Sequence, residues 1–487
     1  MSSTKNFNTM HKHIRNIGLA VVGLSLMQSG CKAPTLVQRD ANRSVPEQYV
    51  GAMADSTNSG RMNWRTFFND ANLTDLIETA LKNNQEFNIN LQEIAIANNE
   101  IRARQGAYLP SVVIGGAAGV DRVGRYTNAG ALEANTLIAE GRRRPAFLPN
   151  FLLGPTATWE VDIWRKLRNA KKAAVIRYQS SLEGRNFLIT SLVSEIANSY
   201  YELLALDNEL SIIQQNIEIQ TNALNLIRIE KQSARVTELA VRRFEAQVLN
   251  TQALQYNTRQ RIVETENRLN FLTGRFPQQP IARNSQAFAT LVPATVHVGL
   301  PAQLLQNRPD IRQAELNLAA AKVDVQVARA EFLPSLNITA ALGLNAYSPA
   351  FLFSPESILF SLAGGLAGPW INRNGIIAGY YSSNARQTQA VYQYERTVLN
   401  AYVEVANQLA NISNLEKSYD AKAKQVEALA QSVSISNSLF RAARADYTEV
   451  LFTQREALEA RFQLIETKQQ QLSAVVNTYR ALGGGWQ

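Results

Sequence analysis

The sequence predicts a mainly α-helical fold, internally duplicated, that carries the strands of a membrane β-barrel. Three observations lead to this prediction: very long helical stretches, a repeat of the chain within itself, and segments in which the apolar period changes from helical to two. Together they indicate an elongated protein, although 487 residues would ordinarily suggest about three globular domains.

The longest uninterrupted helical pattern lies near the end of the chain. From Tyr380 to Leu482 there is no glycine or proline, the residues that most often break regular structure. Apolar residues within this stretch follow a strict 4,3,4,3 spacing, which predicts a heptad seam. The seam, in which only Glu416 and Asn437 are polar, is formed by Val398, Tyr402, Val405, Leu409, Ile412, Glu416, Tyr419, Ala423, Val426, Ala430, Val433, Asn437 and Phe440. At about 1.5 Å per residue, such a helix approaches a length of about 100 Å.

The second half of the chain repeats the pattern of the first. Residues 83–87 lead through an alanine-rich stretch to the Tyr-Leu-Pro-Ser sequence at 108–111, and residues 307–311 lead in the same way to Phe-Leu-Pro-Ser at 332–335. Each is followed by a strand-like region, a very long helix, a break and a second helix. An internal repeat of this size predicts one structural unit used twice.

The repeat gives a predicted division of the chain. The expected segments are a signal peptide at 1–30, a lipidated N-terminal segment at 31–63, a first repeat at 64–275, a connector at 276–306 and a second repeat at 307–487. Barrel strands are expected at about 110–164 and 335–371, and the tips of the long helix pairs near 233–238 and 443–449.

Three segments alternate apolar residues with small or polar ones, and we count four such strands in all, two in each repeat. Segments of about 9–11 residues with this pattern are typical of strands in an outer-membrane barrel. The apolar positions are Leu336, Ile338, Ala340, Leu342 and Leu344, then Ile358, Phe360, Leu362, Gly364 and Leu366, and in the first half Ala157, Trp159, Val161 and Ile163. The strand ends carry Trp159, Trp164 and Trp370, as an interfacial belt requires. A half-buried hairpin in a soluble protein alternates in the same way and remains an alternative.

Four strands cannot close a barrel. An open edge in lipid leaves backbone groups unpaired at several kcal/mol each, and barrels need at least about eight strands. The chain is therefore expected to oligomerise, and a trimer would supply twelve strands and twelve long helices. The loops between the strands are expected at 121–150 and 346–355.

The first long helix carries more than one apolar stripe. One stripe begins at Leu203 and another, in a shifted frame, begins at Ile189. Two apolar edges let a helix contact a neighbour on each side and leave a third face wet, which favours a hollow ring of helices. A helix placed deeper in a solid bundle would also widen the stripe, so both arrangements remain open.

The first thirty residues are typical of a secretory signal. A basic segment precedes the short apolar core from Ile17 to Met27. The sequence Gln-Ser-Gly-Cys at 28–31 resembles a bacterial lipobox, which predicts that Cys31 is lipidated, with palmitate among the attached chains. A plain cleaved signal followed by an idle thiol is the alternative. Cys31 is the only cysteine, so the chain has no intrachain disulfide.

Composition argues against several other classes of function. The formal charge of +9 is a weak bias over such a length, and basic residues stand beside acidic ones on the long helices, so no nucleic-acid track is expected. After the signal only His297 remains among the histidines, which leaves no pattern for a zinc site or a nucleophile–base pair. We expect no catalysis, no metal and no cofactor.

Several motifs, in this order and spacing, resemble the TolC-like outer-membrane efflux proteins, and most closely their lipoprotein branch. They are Phe68-Asn69-Asp70 with Leu73 and Ala80-Leu81, Trp159 through Trp164, Arg308-Pro309-Asp310-Ile311 with Ala314-Glu315, Phe332 through Ser335, and Tyr479 through Trp486. The resemblance covers nearly the whole chain. It implies a homotrimer with a 12-stranded β-barrel in the outer membrane, continuous with a 12-helix α-barrel through the periplasm. It also implies a small mixed girdle around the helices, expected near Trp64, at 277–301 and in the C-terminal region.

The resemblance further implies partners and an aperture. The partners would be outer-membrane lipid, a periplasmic adaptor (membrane fusion) protein and an inner-membrane transporter. The periplasmic end would be closed by the two tips, where we expect Arg235 and Asp446 at equivalent places of the repeat. We hypothesise that these two residues pair across the closed aperture, with Glu238 and Glu449 nearby.

The predicted function is a passive trans-periplasmic duct in a tripartite efflux pump, exporting drugs, metals or other small molecules. The pump and adaptor would supply energy and substrate choice. One alternative is the outer-membrane duct of a type I protein secretion system. A second, from another class, is a non-transporting trimeric coiled-coil fibre such as an adhesin, which would explain the signal and the seams but not the duplication.

Overall fold

The computed structural model describes residues 33–37, 39–49, 57–139, 141–369, 371–442 and 444–486. The predicted signal peptide, Cys31 and Trp370 lie outside these ranges. The chain divides into two compact units. One comprises residues up to Asp40 with Ile96–Tyr178 and Leu316–Val391, and the other comprises Ala41–Ala95, Gln179–Glu315 and Tyr392–Gln487.

The described residues contain ten α-helices, and two of them have 67 and 68 residues. In chain order they are α1 (Trp64–Phe67), α2 (Ala71–Asn83), α3 (Gln85–Ala107), α4 (Asn128–Glu133), α5 (Lys166–Gln232), α6 (Glu238–Leu272), α7 (Leu304–Asn307), α8 (Pro309–Ala330), α9 (Asn374–Arg441) and α10 (Tyr447–Ala481). Short 3₁₀ turns lie at Ser59–Arg61, Ser285–Thr290, Pro301–Gln303, Pro349–Phe351 and Pro355–Ser357. No helix in the described ranges combines the length and the hydropathy needed to cross a membrane.

The two longest helices begin in the same way. Arg165 (φ 59°) and Asn372 (φ 55°) both adopt the left-handed conformation, one or two residues before α5 and α9 begin. At the first of these turns the Asp162 carboxylate accepts hydrogen bonds from the backbone N–H groups of Leu167 (3.0 Å) and Arg168 (2.9 Å). The carboxylate satisfies N–H groups that have no partner within the helix. The shared backbone geometry reflects the duplication of the sequence.

Six strands lie in the described part of the chain. They are β1 (Ser111–Asp121), β2 (Leu137–Ala139), β3 (Arg142–Arg143), β4 (Leu148–Val161), β5 (Ser335–Ala346) and β6 (Ile358–Ala367). Four of them form one antiparallel sheet in the order β1-β4-β5-β6, and β2 and β3 form a separate hairpin. The outer strands β1 and β6 each pair on one side only, so the sheet has two open edges.

The strand register places every alternating apolar set on one face of the sheet. Trp159 of β4 lies opposite Ile338 of β5, and Leu342 of β5 lies opposite Phe360 of β6. Because side chains alternate along a strand, each partner pair shares a face. The apolar face carries Val112, Ile114, Val120, Phe151, Leu153, Trp159, Leu336, Ile338, Leu342, Leu344, Ile358, Phe360, Leu362 and Leu366. The opposite face is rich in glycine, serine, threonine and asparagine.

Glycine permits a close backbone approach on this opposite face. A β-carbon added to Gly154 would lie 2.3 Å from the carbonyl oxygen of Leu342, and one added to Gly343 would lie 2.6 Å from that of Leu153. Both distances are shorter than van der Waals contact allows. The two glycines therefore let β4 and β5 approach closely between the pairs Leu153–Leu344 and Thr156–Ala341.

The loops at the far end of the sheet differ from the predicted ones. Residues 122–147 contain the short helix α4 and the β2–β3 hairpin, neither of which the sequence predicts. Strand β4 begins at Leu148 and ends at Val161, so Ile163 lies beyond the strand. At the near end the indole N–H of Trp159 donates to the Tyr108 carbonyl (3.1 Å), and that of Trp164 donates to the Pro334 carbonyl (2.8 Å).

The main apolar core lies in the second unit, where α2 packs against α5, α6 and α10. Its largest fully buried side chains include Tyr200 and Tyr479. Asp70 begins α2 by accepting from the N–H groups of Asn72 (2.8 Å) and Leu73 (3.2 Å), and it also accepts from the Tyr200 hydroxyl (3.0 Å). Burial raises the pKa of Tyr200, and the neighbouring Asp70 carboxylate raises it further.

The expected girdle residues contribute to this same core. Trp64, Ile281 and Phe288 are buried in it. In the predicted girdle, the β-type backbone pairing that the structure describes is an isolated antiparallel bridge between Asn58 and Val298. Short helices and 3₁₀ turns make up the rest of the regular structure that is described there.

Candidate functional site

The first helix hairpin turns between the end of α5 at Gln232 and the start of α6 at Glu238. The backbone N–H of Arg235 donates to the Glu230 carbonyl (3.0 Å), and Ala234 adopts the left-handed conformation with φ 56°. This is the usual way in which a helix ends, although glycine ordinarily takes the left-handed position. An alanine there costs about 1 kcal/mol or more, so the turn holds some backbone strain.

The second hairpin, between α9 and α10, repeats this backbone pattern. The N–H of Arg444 donates to the Leu439 carbonyl (2.9 Å), as the N–H of Arg235 does to the Glu230 carbonyl. The hydrogen bonds therefore make Arg444 the structural equivalent of Arg235. The expectation that Asp446 occupies that equivalent place is wrong. Because Asp446 and Thr237 are the residues that begin α10 and α6, these two correspond instead.

A small apolar cluster beneath the tips joins the two hairpins. Leu224, Ile227, Ala240, Val241, Phe244 and Val248, from the first hairpin, are buried in it. Phe440 and Tyr447, from the second hairpin, pack against the cluster. The two charged turns therefore share one packed apolar cluster, so a change in the packing of one hairpin alters the contacts of the other.

Glu238 pairs with basic residues on both arms of the first helix hairpin. It pairs with Lys231 on the other arm of its hairpin and with Arg242 one turn along α6 (2.8 Å). Arg242 also contacts Glu245 (2.9 Å), which lies 3.7 Å from Arg228. The hydrogen bond from Lys231, together with the nearby positive charges, lowers the pKa of Glu238. The contacts between the arms tie α5 to α6 at the turn.

The other predicted aperture residues stand at the exposed surface of the tips. The Asp446 carboxylate accepts from the backbone N–H of Thr448 (3.4 Å) and so caps α10. Arg235 and Glu449 are exposed. Within the described residues of this single chain, Arg235 and Asp446 form no ion pair.

Sequence reasoning missed the partners of Glu238. None of the partners in this chain of ion pairs was among the predicted aperture residues. The partners are Lys231, Arg242, Glu245 and Arg228. The spacing of four residues from Glu238 to Arg242 and three from Arg242 to Glu245 was a visible signal for two of these contacts. The contact with Lys231 crosses the turn and depends on the hairpin geometry.

The described residues contain no group of three or more His, Cys, Asp or Glu side chains placed to hold a metal ion. The charged side chains of the tips pair with one another or face solvent. These charged side chains can form and break ion pairs at the end of a helix hairpin. Such changes alter the relative free energies of two alternative packings of the hairpins.

A sheet with one apolar face and open edges, in a chain with paired helices of this length, defines the class of outer-membrane channels with a helical extension. The chain belongs to the outer membrane efflux protein family, whose model matches residues 76–275 and 300–484.

Three comparisons illustrate the relationship. The chain is 28% identical over 474 residues to the pyoverdine export outer membrane protein OpmQ of Pseudomonas putida, covering 96% of this chain and 97% of that protein. It is 25% identical over 468 residues to the cation efflux system protein CusC of Escherichia coli O6:H1, covering 95% and 98%. Its fold matches the crystal structure of a membrane protein from Pseudomonas aeruginosa with a TM-score of 0.83 and 23% identity, over 93% of this chain and 99% of the other.

The family assignment confirms four predictions. The family resemblance is correct, and so is the fold class, a mainly helical channel of trimeric type with a β-barrel and an internal duplication. The chain is an outer-membrane efflux channel of a tripartite pump, located in the outer membrane and extending into the periplasm. The non-transporting fibre is thereby set aside. The lack of catalysis stays a prediction, although the family is one of transport channels.

Proposed function

We propose that this chain works as a passive homotrimeric duct, joined at its periplasmic tips to an adaptor protein that connects it with an inner-membrane transporter. It carries out no catalysis and holds no cofactor. The observation that carries the proposal is the four-stranded sheet, whose apolar face and two edges are left uncovered by the chain itself. Strand β1 is exposed along its whole length, and Val112 and Ile114 on its apolar face are 62% and 78% exposed.

The two open edges of the sheet, β1 and β6, let three copies of the chain close one barrel. Strand β1 of one copy lies against β6 of the next, which continues the antiparallel order around the ring. Each edge buried in lipid without a partner would cost several kcal/mol per unpaired group, so closure is strongly favoured over a single inserted chain. Head-to-tail contacts of this kind close into a ring when the rotation allows it.

The two faces of the sheet give a direct test of this insertion. Phe360 lies on the apolar face and is 70% exposed, whereas Ser361 is its neighbour on the opposite, small-residue face. In planar bilayers, Phe360→Asp should abolish or greatly reduce channel insertion because a charge on the lipid face is costly. Ser361→Asp should insert normally and shift ion selectivity towards cations. The reverse result would mean that the sheet is inserted the other way round.

Closure between copies is tested by cross-linking. Ile114→Cys on β1 combined with Leu362→Cys on β6 should give covalent dimers and trimers with a short bifunctional maleimide. Ile114→Cys combined with Ala340→Cys is the matched control, because β5 is an inner strand with a neighbour on both sides. Equal yields from the two pairs would rule out pairing of β1 with β6.

The tips support docking of an adaptor. Leu239 and Ile229 near the first turn are 56% and 60% exposed, and Phe452 near the second is 52% exposed. Apolar side chains of this size at an exposed helix end favour burial against a protein partner. A photoreactive residue at Leu239 should capture a periplasmic adaptor in intact cells. The same residue at Phe353, 76% exposed in the loop between β5 and β6, serves as the control and should capture none.

We also propose the features that concern the two ends of the chain. The signal at 1–30 directs export, Cys31 is acylated, and Arg235, Glu238, Asp446 and Glu449 line the periplasmic aperture. Mass spectrometry of the mature N-terminal peptide tests the acylation, since an unmodified Cys31 thiol would exclude it.

Cargo is set by the partners rather than by the duct. Relatives named for pyoverdine export and for cation efflux are similar to this chain to nearly the same degree, 28% and 25%. We therefore propose a small-molecule cargo that the adaptor and transporter select. Exchange of the inner-membrane transporter, with this chain unchanged, should exchange the exported compound.

A further inference from the structure

The loop between β1 and β4 is strongly basic. Residues 122–147 contain five arginines and two glutamates. The arginines are Arg122, Arg125, Arg142, Arg143 and Arg144. The other loop of the sheet, residues 347–357, has no basic residue and one glutamate. The positive charge at this end of the sheet is therefore concentrated in one loop.

Most of these arginines have no acidic partner among the residues that the structure describes. Arg144 is largely buried and pairs with Glu133, the glutamate of this loop that the structure describes. Arg125, Arg142 and Arg143 are exposed and make no ion pair within the described residues. Arg122 is also exposed, and its guanidinium lies over the ring of Phe147 at 5.0 Å from the centroid. Four guanidinium groups are thus available to an anionic ligand.

The loop has a defined structure that positions these charges. Thr127 caps α4 by accepting from the Gly130 N–H (3.1 Å), and a β-carbon on Gly130 would lie 2.0 Å from the Gly124 carbonyl oxygen. The N–H of Arg144 donates to the Thr136 carbonyl (3.0 Å), which adds to the β2–β3 hairpin. Together with the pair between Arg144 and Glu133, these contacts hold the hairpin against α4. A loop that is already held in one conformation loses less entropy when it binds a ligand.

The position of the loop relates it to the membrane surface. Strand β1 follows α3 directly and runs 11 residues to Asp121, where the loop begins. At about 3.3 Å per residue and a tilt of about 45°, this length crosses the ≈25 Å apolar band of an outer-membrane barrel. With the sheet inserted in lipid as proposed, the loop emerges on the side of the membrane opposite the end of α3. Tyr126 is fully exposed and Phe147 is 57% exposed, as is common for aromatic side chains at headgroup level.

We infer that this loop binds the phosphate groups of phosphorylated glycolipid in the outer leaflet of the membrane. The inference rests on the proposed insertion of the sheet in lipid. Guanidinium groups bind phosphate through two parallel hydrogen bonds, and four or more basic residues at a membrane surface are typical of contact with anionic lipid headgroups. The exposed aromatic side chains beside the arginines, and the apolar sheet face below them, favour a lipid over an anionic solute leaving the duct.

The experiment measures binding of diphosphorylated lipid A to the purified full-length trimer in neutral detergent, by native mass spectrometry and by fluorescence titration. The comparators are monophosphorylated lipid A, phosphatidylcholine and sodium phosphate. The test variant is the Arg142→Gln, Arg143→Gln double substitution. The matched control is Arg386→Gln with Arg396→Gln, which removes the same charge from exposed positions on α9.

The wild-type trimer should prefer the diphosphorylated lipid. The loop variant should bind it about 30-fold more weakly, and the α9 variant should bind as the wild type does. Equal binding by wild type and loop variant, or equal binding of phosphorylated lipid and phosphatidylcholine, overturns the inference. Competition by millimolar sodium phosphate as effective as that of the lipid would make free phosphate the ligand and would also overturn it.

Planar-bilayer conductance of the same proteins separates the two proposals. If the wild type and the loop variant both conduct normally and bind the diphosphorylated lipid equally well, this inference fails while the proposed duct remains. A loop variant with altered anion selectivity and unchanged lipid binding would assign the arginines to solute exit and overturn the lipid assignment. A wild-type protein that never conducts would contradict the proposed duct itself.

Discussion

The Arg308 guanidinium donates a hydrogen bond to the Glu404 carboxylate at 2.8 Å, although the two residues are 96 positions apart in the chain. Arg308 is 6% exposed and also contacts both carboxylate oxygens of Asp310 (3.0 and 2.8 Å) and the carbonyl of Ala481 (2.8 Å). Arg480 reaches Glu404 from the other side at 2.7 Å. Burial lowers the pKa of Arg308, but the hydrogen bonds and negative charges of Asp310 and Glu404 have the larger combined effect and raise this pKa above its ordinary value. One arginine thus ties the start of α8 to α9 and to the end of α10.

Removal of this arginine should be costly. Arg308→Met leaves the partly buried Asp310 without its cation and Glu404 with Arg480 alone, and we expect a loss of about 3–5 kcal/mol. Arg104→Met is the matched control, since Arg104 pairs with Glu100 at 2.7 Å but is 52% exposed, and its loss should cost under about 1 kcal/mol. Thermal unfolding of the detergent-solubilised proteins, followed by circular dichroism, measures both. Similar unfolding temperatures for the two variants would contradict the importance of the buried network.

The C-terminal glycine run is explained by close packing. A β-carbon on Gly484 would lie 2.3 Å from the ring of Tyr479, which is fully buried, stacks on Phe67 at 4.0 Å and donates to the Met62 carbonyl at 2.6 Å. Because that ring is held on several sides, Gly484→Ala should destabilise the protein by about 1–3 kcal/mol. Gly106→Ala has open space around the added carbon and should be neutral or stabilising by up to about 1 kcal/mol. A Gly484→Ala protein as stable as wild type would show that the ring moves easily.

The sequence predicted the elements better than their contacts. Alternation is a local property, so the strand around Ile338 was visible, but only the register shows that Ile338 shares a face with Trp159. The heptad spacing predicted the long helix through Val405, since a period repeated over many turns is a strong signal. The β2–β3 hairpin has strands of three and two residues, too short for any period to show.

The tips were predicted less completely. Their place in the chain follows from the end of a long helical pattern, and Glu238 and Glu449 were singled out because each lies at a predicted tip, near Arg235 and Asp446. The partner of Glu238 across the turn, Lys231, depends on the left-handed residue Ala234, and alanine gives no sequence signal for that conformation.

The hypothesised pairing of Arg235 with Asp446 across the closed aperture can be tested separately from the capping role of Asp446. Asparagine caps a helix as well as aspartate does, so Asp446→Asn keeps the start of α10 and removes the charge. If the pair closes the aperture, Asp446→Asn and Arg235→Gln should each raise the closed-state leak in planar bilayers, and the double variant should leak no more than either. Asp420→Asn on α9 is the charge-matched control.

A leak in Asp446→Ala alone, with Asp446→Asn behaving as wild type, would assign the effect to the lost cap. Additive leaks from Arg235→Gln and Asp446→Asn would mean that the two residues act separately. Either result would remove this pair from the closing mechanism.

The ion pairs of Glu238 predict a specific dependence of the aperture on pH. The hydrogen bond from Lys231 and the charge of Arg242 hold the pKa of Glu238 below its ordinary value of 4.5. A carboxylate with a lowered pKa stabilises the folded tip above its unfolded pKa, and this contribution is lost as the pH falls through the folded value. The closed-state leak of the wild type should therefore stay constant from about pH 8 to about pH 5 and rise only below the ordinary carboxylate range.

Glu238→Gln removes this contribution to tip stability at every pH and should give a raised leak with a flatter pH profile. Glu427→Gln changes an exposed position on α9 and should follow the wild type. A wild-type leak that rises between about pH 7 and pH 5, where Glu238 stays ionised, would place the titrating group elsewhere.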